Sequence, residues 1–403
     1  MAVPPNILWI VTTQWRAAAT GYAGDPNART PWLDGLASEA VNYAQAVTPH
    51  PLGPQARAAL LTGKLCPENG VAHYWDPLPV KARTVAHALN DRGYETAFFG
   101  KWHLAERDRK APLVGEVHAK MIVPPERRGG FAVWEGFESG FLLNDPWLHG
   151  TRLPVPKSFK GYQADVLVTR AGEWLRRPHA KPVFCVVSVE TPHPPYHAPA
   201  PIAAEVSPRE IVLRPNVPTG GEVERKAREE MTGYYAHIEA TDRAIGKLLA
   251  KVDLATTTVV FTSVHGDMHG AHGLFRKAWP YEESVRVPLL VKRAKGTAAV
   301  DAAPVSLVDV PHMAVAWAEG REWHCRRDSA TIAMPAATAI PLQCPHAWRG
   351  FRTAQHKFVL RTEADGHERP WLYFDLERDP WELRNLIGDP ARAKEIAQLR
   401  VLL

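Results

Sequence analysis

Three histidines in one short loop are the first residues whose type and spacing could do chemistry: His265, His269 and His272 in VHGDMHGAHG. Neutral imidazole is a common ligand for zinc and related cations, and His50 is a distant fourth candidate. The loop is rich in glycine, so the three do not share one helix face. Fourteen tryptophans raise a second chemistry. An indole can stack on a sugar ring, although core packing is its commoner fate, and Trp75, Trp102, Trp147 and Trp279 are the candidates. Cys66, Cys185, Cys325 and Cys344 form no CxxC pair and are too few for a disulfide framework in a chain this long, so buried reduced thiols are expected.

Any such chemistry needs a scaffold to position it. Residues 6–12 (NILWIVT) form a nearly continuous apolar run of the kind buried on both faces of a parallel sheet. Similar runs at Thr96–Phe99, Val183–Val189, Thr257–Thr262 and Val287–Val291 alternate with helical stretches at Val85–Asp91, Ala164–Leu175 and Glu229–Lys251. That alternation predicts an α/β sheet covered by helices on both faces. Residues 304–319 resemble a last helix on that sheet. Beyond a boundary near 320–335, strands are expected within Gly350–Arg361 and Pro370–Leu376, closed by a helix over Pro390–Leu403. The 403 residues exceed what one core usually serves, so a large domain over 1–330 and a small α+β unit over 331–403 are expected. The proline-rich stretch 192–218 reads as surface loop.

The composition is globular, with 45% hydrophobic and 23% charged residues, which excludes a disordered or fibrous chain. The formal charge of +5 is dispersed and forms no run able to track a phosphate backbone. No nucleic acid is expected as a partner, while a small anionic ligand is compatible. The first apolar run, Ile7 to Val11, is too short for a signal-peptide core or a membrane span. No membrane contact is expected, and a cytoplasmic location follows, or a periplasmic one if a leader has been removed.

Several segments in order resemble the sulfatase branch of the alkaline-phosphatase superfamily. Residues 6–16 (NILWIVTTQWR) are similar to that family's opening strand, Thr30–Val41 to the helix after it, and His50–Gly63 to its nucleophile segment. Gly100–Leu104 (GKWHL), Thr191–Pro195 (TPHPP), Ser263–Lys277, Tyr281–Val291 and the tail Leu372–Pro390 follow in family order. The resemblance implies an alkaline-phosphatase-like α/β fold: a large mixed sheet flanked by helices, with a small C-terminal α+β subdomain.

The family attacks its ester with formylglycine, made from a Cys or Ser in the pattern CxPSR. The aligned residues here are Gly53, Pro54, Gln55, Ala56 and Arg57, and glycine has nothing to oxidise or to attack with. Two carboxylates that hold the family's calcium or magnesium fall at Thr13 and Val264, leaving Gln14 and His265 as residual ligands. Such hard cations want several oxygens, preferably charged. Opposite unit charges about 4 Å apart are worth roughly 4 kcal/mol at an effective dielectric of about 20, so the loss of two carboxylates predicts that no metal cofactor is held.

Arg57, Lys101, His103, His193 and Lys277 match family positions that bracket the oxyanion or assist the leaving group. Without the carboxylates such a set carries net positive charge. A pocket for sulfate, phosphate or a sulfated sugar is therefore expected, tightened at lower pH by protonated histidines. The family also keeps histidines at 265 and 272, so only His269 is unusual, and drift of the loop explains it as simply as a new ligand does. Three readings compete: a degenerate sulfatase-like protein with a residual anion pocket; a hydrolase with another nucleophile, such as water activated by His193 or His265 beside Lys101 and His103; and a structural partner of an active relative.

Overall fold

The computed structural model describes residues 4–403. Ten strands build the main sheet: β1 (Asn6–Thr12), β2 (Val41–Tyr43), β3 (Glu95–Lys101), β4 (Val133–Phe137), β5 (Trp147–Gly150), β6 (Leu153–Ser158), β7 (Val183–Ser188), β8 (Thr257–Ser263), β9 (Leu289–Lys292) and β10 (Ala299–Asp301). Their spatial order is β10-β2-β9-β8-β1-β7-β3-β4-β5-β6. β1 lies centrally, parallel to both β7 and β8, and the parallel block extends through β3 to β4. β9 runs antiparallel to β8, and β5 to β4, so the sheet is mixed.

β1 reads as one apolar run because both its faces are covered. Leu8 and Ile10 pack with the helices Gln163–Leu175 and Glu222–Leu249. Ile7, Trp9 and Val11 pack on the opposite side with the helices Gly53–Thr62, Val85–Asn90 and Asp309–Ala318. That is the two-residue alternation of a pleated strand serving two cores at once. The runs read from the sequence become β3, β7, β8 and β9. β4 to β6 have no counterpart among those runs; β6 carries two prolines, tolerable because it is an edge strand with no second ladder to donate to.

A second, antiparallel sheet follows: β11 (Ser329–Met334), β12 (Trp348–Thr353), β13 (His356–Thr362) and β14 (Glu368–Asp375), in that order. The terminal helix is shorter than expected, Ala393–Val401, because a 3-10 turn over Pro390–Arg392 capped by Asp389 precedes it. The small sheet docks on the large one through specific bonds. Trp348 Nε1 donates to Ala278 O at 2.9 Å and Ala333 N to Pro49 O at 2.7 Å. All four cysteines are unpaired.

Candidate functional site

In an open α/β sheet, ligands collect in the crevice beyond the carboxyl ends of the parallel strands. Here β1, β7, β3 and β8 deliver Thr13 and Gln14, Glu190 to His193, Lys101 to His103, and Val264 to Asp267 to that rim. A cavity of about 340 Å³ opens there, with Thr13, Gly53, Lys101, His103, His193, His265 and Lys277 on its wall and Tyr74 and Phe141 as its aromatic surface. Gly53 begins the helix Gly53–Thr62, which starts on an extended Leu52 with Pro54 in its first turn and ends on left-handed Gly63. Gln14, His103, Phe141 and Arg276 hold left-handed backbone, with φ of 69°, 60°, 55° and 68°. Such conformations cost about 1–3 kcal/mol each and concentrate where a ligand site demands them.

The cations do not stand free. Lys101 Nζ lies 2.7 Å from Glu190 Oε1, and Gln163 Nε2 holds the other oxygen of Glu190 at 2.8 Å. Burial pulls the Lys101 ammonium down to about 8, against the opposing pull of Glu190. Lys277 donates to Gln14 Oε1 and lies 2.9 Å from His193 Nε2; burial draws it down to about 7 although Asp267 opposes the shift. Arg57 faces inward, with Nη2 on Thr13 Oγ1 at 2.9 Å and Nη1 on Ser188 Oγ at 2.7 Å and Lys101 O at 3.1 Å. Its guanidinium sits behind Thr13, off the cavity wall, and burial lowers it to about 10.

All three histidines of the rim carry their proton on Nδ1, and they differ in what Nε2 meets. His193 bonds Pro194 O through Nδ1 at 2.6 Å, so Nε2 accepts from Lys277, and the ring stacks on Phe141 at 4.3 Å. His103 accepts from Arg107 Nη1 at 2.8 Å through Nε2, which puts the proton on a buried Nδ1 that has no partner. His265 bonds Gly266 O through Nδ1 at 2.9 Å and leaves Nε2 unpartnered. Burial, reinforced by Arg107 at His103 and by Lys277 at the other two, holds all three imidazoles well below the usual range. The expectation that protonated histidines tighten the pocket at low pH is therefore corrected. The groups that change charge near neutrality are Lys277, Lys101 and Glu138, whose carboxyl burial pushes up to about 7.

Glu190 and Glu138 are the residues missed in the sequence, and they offset the net positive charge expected of the set. Glu190 carried a signal: an acid directly after the apolar run of β7, at a carboxyl strand end.

A calcium or magnesium ion does not fit these residues. Val264 is buried and offers no ligand atom. Thr13 Oγ1 donates to Val189 O at 3.2 Å and accepts from Arg57. Gln14 spends its amide oxygen on Lys277 and its nitrogen on Asp267, so an ammonium already holds the oxygen left for a cation.

The other candidates disperse. His265 reaches the cavity, His269 packs 4.3 Å from Tyr234, and His272 stacks on Tyr281 at 4.2 Å. His50 spends Nδ1 on Ala333 O and accepts Cys66 N on Nε2, both at 2.9 Å. The four histidines form no common metal site. His272 instead approaches Glu283 and Glu382, their ligand-capable atoms lying within 4.8 Å of one another, where Asn216 and Lys357 already serve the carboxylates. None of the four candidate tryptophans lines the cavity. Trp102 is buried against Phe98 and Trp134, Trp147 stands under Lys120 on β5, and Trp75 lies under Arg107.

A rim of this kind on a mixed sheet flanked by helices, with a small antiparallel sheet appended, defines an alkaline-phosphatase-like α/β protein. The sulfatase family model matches residues 5–320, and the chain belongs to the sulfatase family. An ulvan-active sulfatase of Formosa agariphila is 36% identical over 96% of this chain and 78% of its own length. An arylsulfatase of Clostridium perfringens is 26% identical over 99% and 93%. Among solved structures, a phosphonate monoester hydrolase of Agrobacterium radiobacter shares the fold with a TM-score of 0.75 at 20% identity, covering 99% of this chain and 96% of that one. A protein solved with its substrate D-glucosamine-2-N,6-O-disulfate shares it with a TM-score of 0.80 at 22% identity, covering 99% and 97%.

Proposed function

We propose that this sulfatase-family chain does not run the formylglycine reaction and keeps the crevice as a metal-independent pocket for a small anion or the sulfate group of a sugar. One observation carries the reading: at the nucleophile position Gly53 has no side chain, and a Cβ built there would lie 2.8 Å from His103 Nδ1. The space a nucleophile needs is taken by a ring that Arg107 holds in place. An anion entering the cavity meets the free Nδ1–H of His103 and the ammonium groups of Lys101 and Lys277. Glu190 is its internal competitor for Lys101. The ulvan-active sulfatase and an N-acetylglucosamine-6-O-sulfatase of Bacteroides thetaiotaomicron among the relatives support a sulfated sugar as the ligand class.

Aryl sulfate and aryl phosphate assays test the reading, together with intact mass and elemental analysis after dialysis. Turnover no faster than buffer, no formylglycine, and less than one calcium, magnesium or zinc per chain are expected. Gly53→Cys alone should restore nothing, since Thr13, Gln14 and Val264 do not offer the ligands for a metal that would orient and polarise the ester. Wild-type turnover abolished by Lys101→Ala or His193→Ala would overturn the reading.

A second reading, hydrolysis by an activated water, has one observation in its favour: the unpartnered Nε2 of His265 on the cavity wall. Burial lowers the basicity of that nitrogen and so weakens it as a general base. Turnover lost specifically in His265→Ala would promote this reading over the first.

A further inference from the structure

Arg16 follows the opening strand and is buried, with only 1% of its surface exposed, yet Nε, Nη1 and Nη2 all lack a hydrogen-bond partner. A guanidinium cannot shed its charge, and each buried donor left unmade costs about 1–3 kcal/mol. The Tyr234 ring lies 5.5 Å from its guanidinium carbon, and the three N–H groups still call for an acceptor that the chain does not supply.

Arg16 lines a separate cavity of about 90 Å³, on whose wall Arg214, Arg286, Glu282, Glu283 and Trp381 also stand. This cavity shares no residue with the strand-end crevice. Three guanidinium groups face two carboxylates there, and Glu282 spends its oxygens elsewhere, on Arg352 at 3.0 Å and Lys357 at 3.2 Å. Arg286 gives Nε to Ala44 O at 2.9 Å. Arg214 reaches acids only at 3.7 and 3.8 Å and lies over the Trp381 ring at 5.5 Å. Asp25 and Glu283 both stop short of hydrogen-bond reach of Arg214, so the wall keeps unspent donors in excess.

Glu283 adds the selective element. Its Oε1 accepts from Asn216 Nδ2 at 2.9 Å, while Oε2 is buried with no partner. A fully ionised oxyanion would face that oxygen as a like charge with no proton between them. An oxyanion that carries an O–H would donate to it while presenting its other oxygens to the guanidinium forks.

We propose that this cavity is a binding site for a small protonated oxyanion, inorganic hydrogenphosphate in its simplest form, with Arg16 and Arg214 as its cationic clamp and Glu283 as the acceptor that excludes sulfate. Phosphate at neutral pH keeps an O–H that sulfate lacks, and the two ions otherwise match in size and shape. The site is independent of the crevice and of what the crevice does.

Calorimetric titration of inorganic phosphate and of sodium sulfate into Lys101→Ala protein at pH 7 tests the site with crevice binding weakened. Crystals soaked in each ion locate any bound anion directly. The expected result is one phosphate per chain, density between Arg16 and Arg214, and preference over sulfate by roughly tenfold or more, as one buried hydrogen bond dictates. Arg214→Gln should weaken phosphate binding at least several-fold. Glu283→Gln replaces an acceptor by a donor and should bring the two ions to near parity. A glycerol 1-phosphate arm at pH 7 checks the proton requirement, because a phosphate monoester with a second pKa of about 6 has mostly lost its O–H there; it should bind more weakly than inorganic phosphate, and equal or tighter binding would overturn the assignment. If Arg16 proves indispensable for folding, the Arg214 and Glu283 variants still decide. Ordered water alone in the cavity, sulfate bound as tightly as phosphate, or a preference unchanged in Glu283→Gln would overturn the assignment.

Discussion

At the scale of single residues, the site is defined by what Gly53 lacks and what His103 therefore can do. Gly53→Ala places a methyl 2.8 Å from His103 Nδ1, and the ring cannot swing away without losing Arg107 and its edge contact with Tyr74 at 5.6 Å. Overpacking of this kind costs about 1–3 kcal/mol. Thermal denaturation should show Tm lowered by a few degrees, and His103→Ala in the same chain should recover part of it; an unchanged Tm in Gly53→Ala contradicts the contact. Glu190→Gln tests the competitor. It leaves the buried Lys101 ammonium without its counter-ion, a loss of about 3–5 kcal/mol where the charge persists. It also frees a donor, so at pH 6 the sulfate affinity measured by calorimetry should rise several-fold even as Tm falls. Gly53, Thr13 and Val264 could be picked out from the sequence because each stands in a segment that keeps the family's order. Glu190 showed only as an acid after an apolar run and Glu138 not at all, because their importance lies in pairing across strands distant in the chain.

At the scale of elements, the loops after β3 and β4 set the response to pH. Lys101 closes β3 with its ammonium lowered to about 8, and Glu138 follows β4 with its carboxyl raised to about 7. As pH rises from 6 to 9, Glu138 gains negative charge, while Lys101 and Lys277, the latter lowered to about 7, lose positive charge. Both changes disfavour a bound anion, so sulfate affinity should fall several-fold across that window. Flat affinity from pH 6 to pH 9 would contradict this assignment of the titrating groups. The buried strands were legible because a two-faced environment imposes an apolar run, as in β1 and β7. β5 and β6 were not, since they lie at the margin of the sheet, are short, and carry mixed polarity. The left-handed turns at Gln14 and His103 escape sequence reading because any residue type other than glycine adopts that conformation only rarely.

At the scale of the whole molecule, the small antiparallel sheet completes the large domain through a buried charge network. Lys357 is fully buried and bonds both Glu282 of the large unit and Glu382 of the small one. Lys357→Met removes the cation and leaves two buried carboxylates short of a partner, a loss of about 3–5 kcal/mol by the usual cost of breaking such a pair. Lowered Tm and faster limited proteolysis at the junction are expected, while wild-type stability in both measurements would mean that the network is dispensable. Ile340, Pro341 and Gln343 of the appended unit also line the crevice, so the same docking shapes its mouth. The claim that the crevice holds an anion without metal is tested most directly by titrating sulfate into chelator-treated protein at pH 6, beside Lys101→Ala. The account predicts saturable one-to-one binding that survives chelation, weakens with added salt, and falls at least several-fold in the variant. Absence of binding, binding restored only by calcium or magnesium, or equal affinity in Lys101→Ala would contradict it.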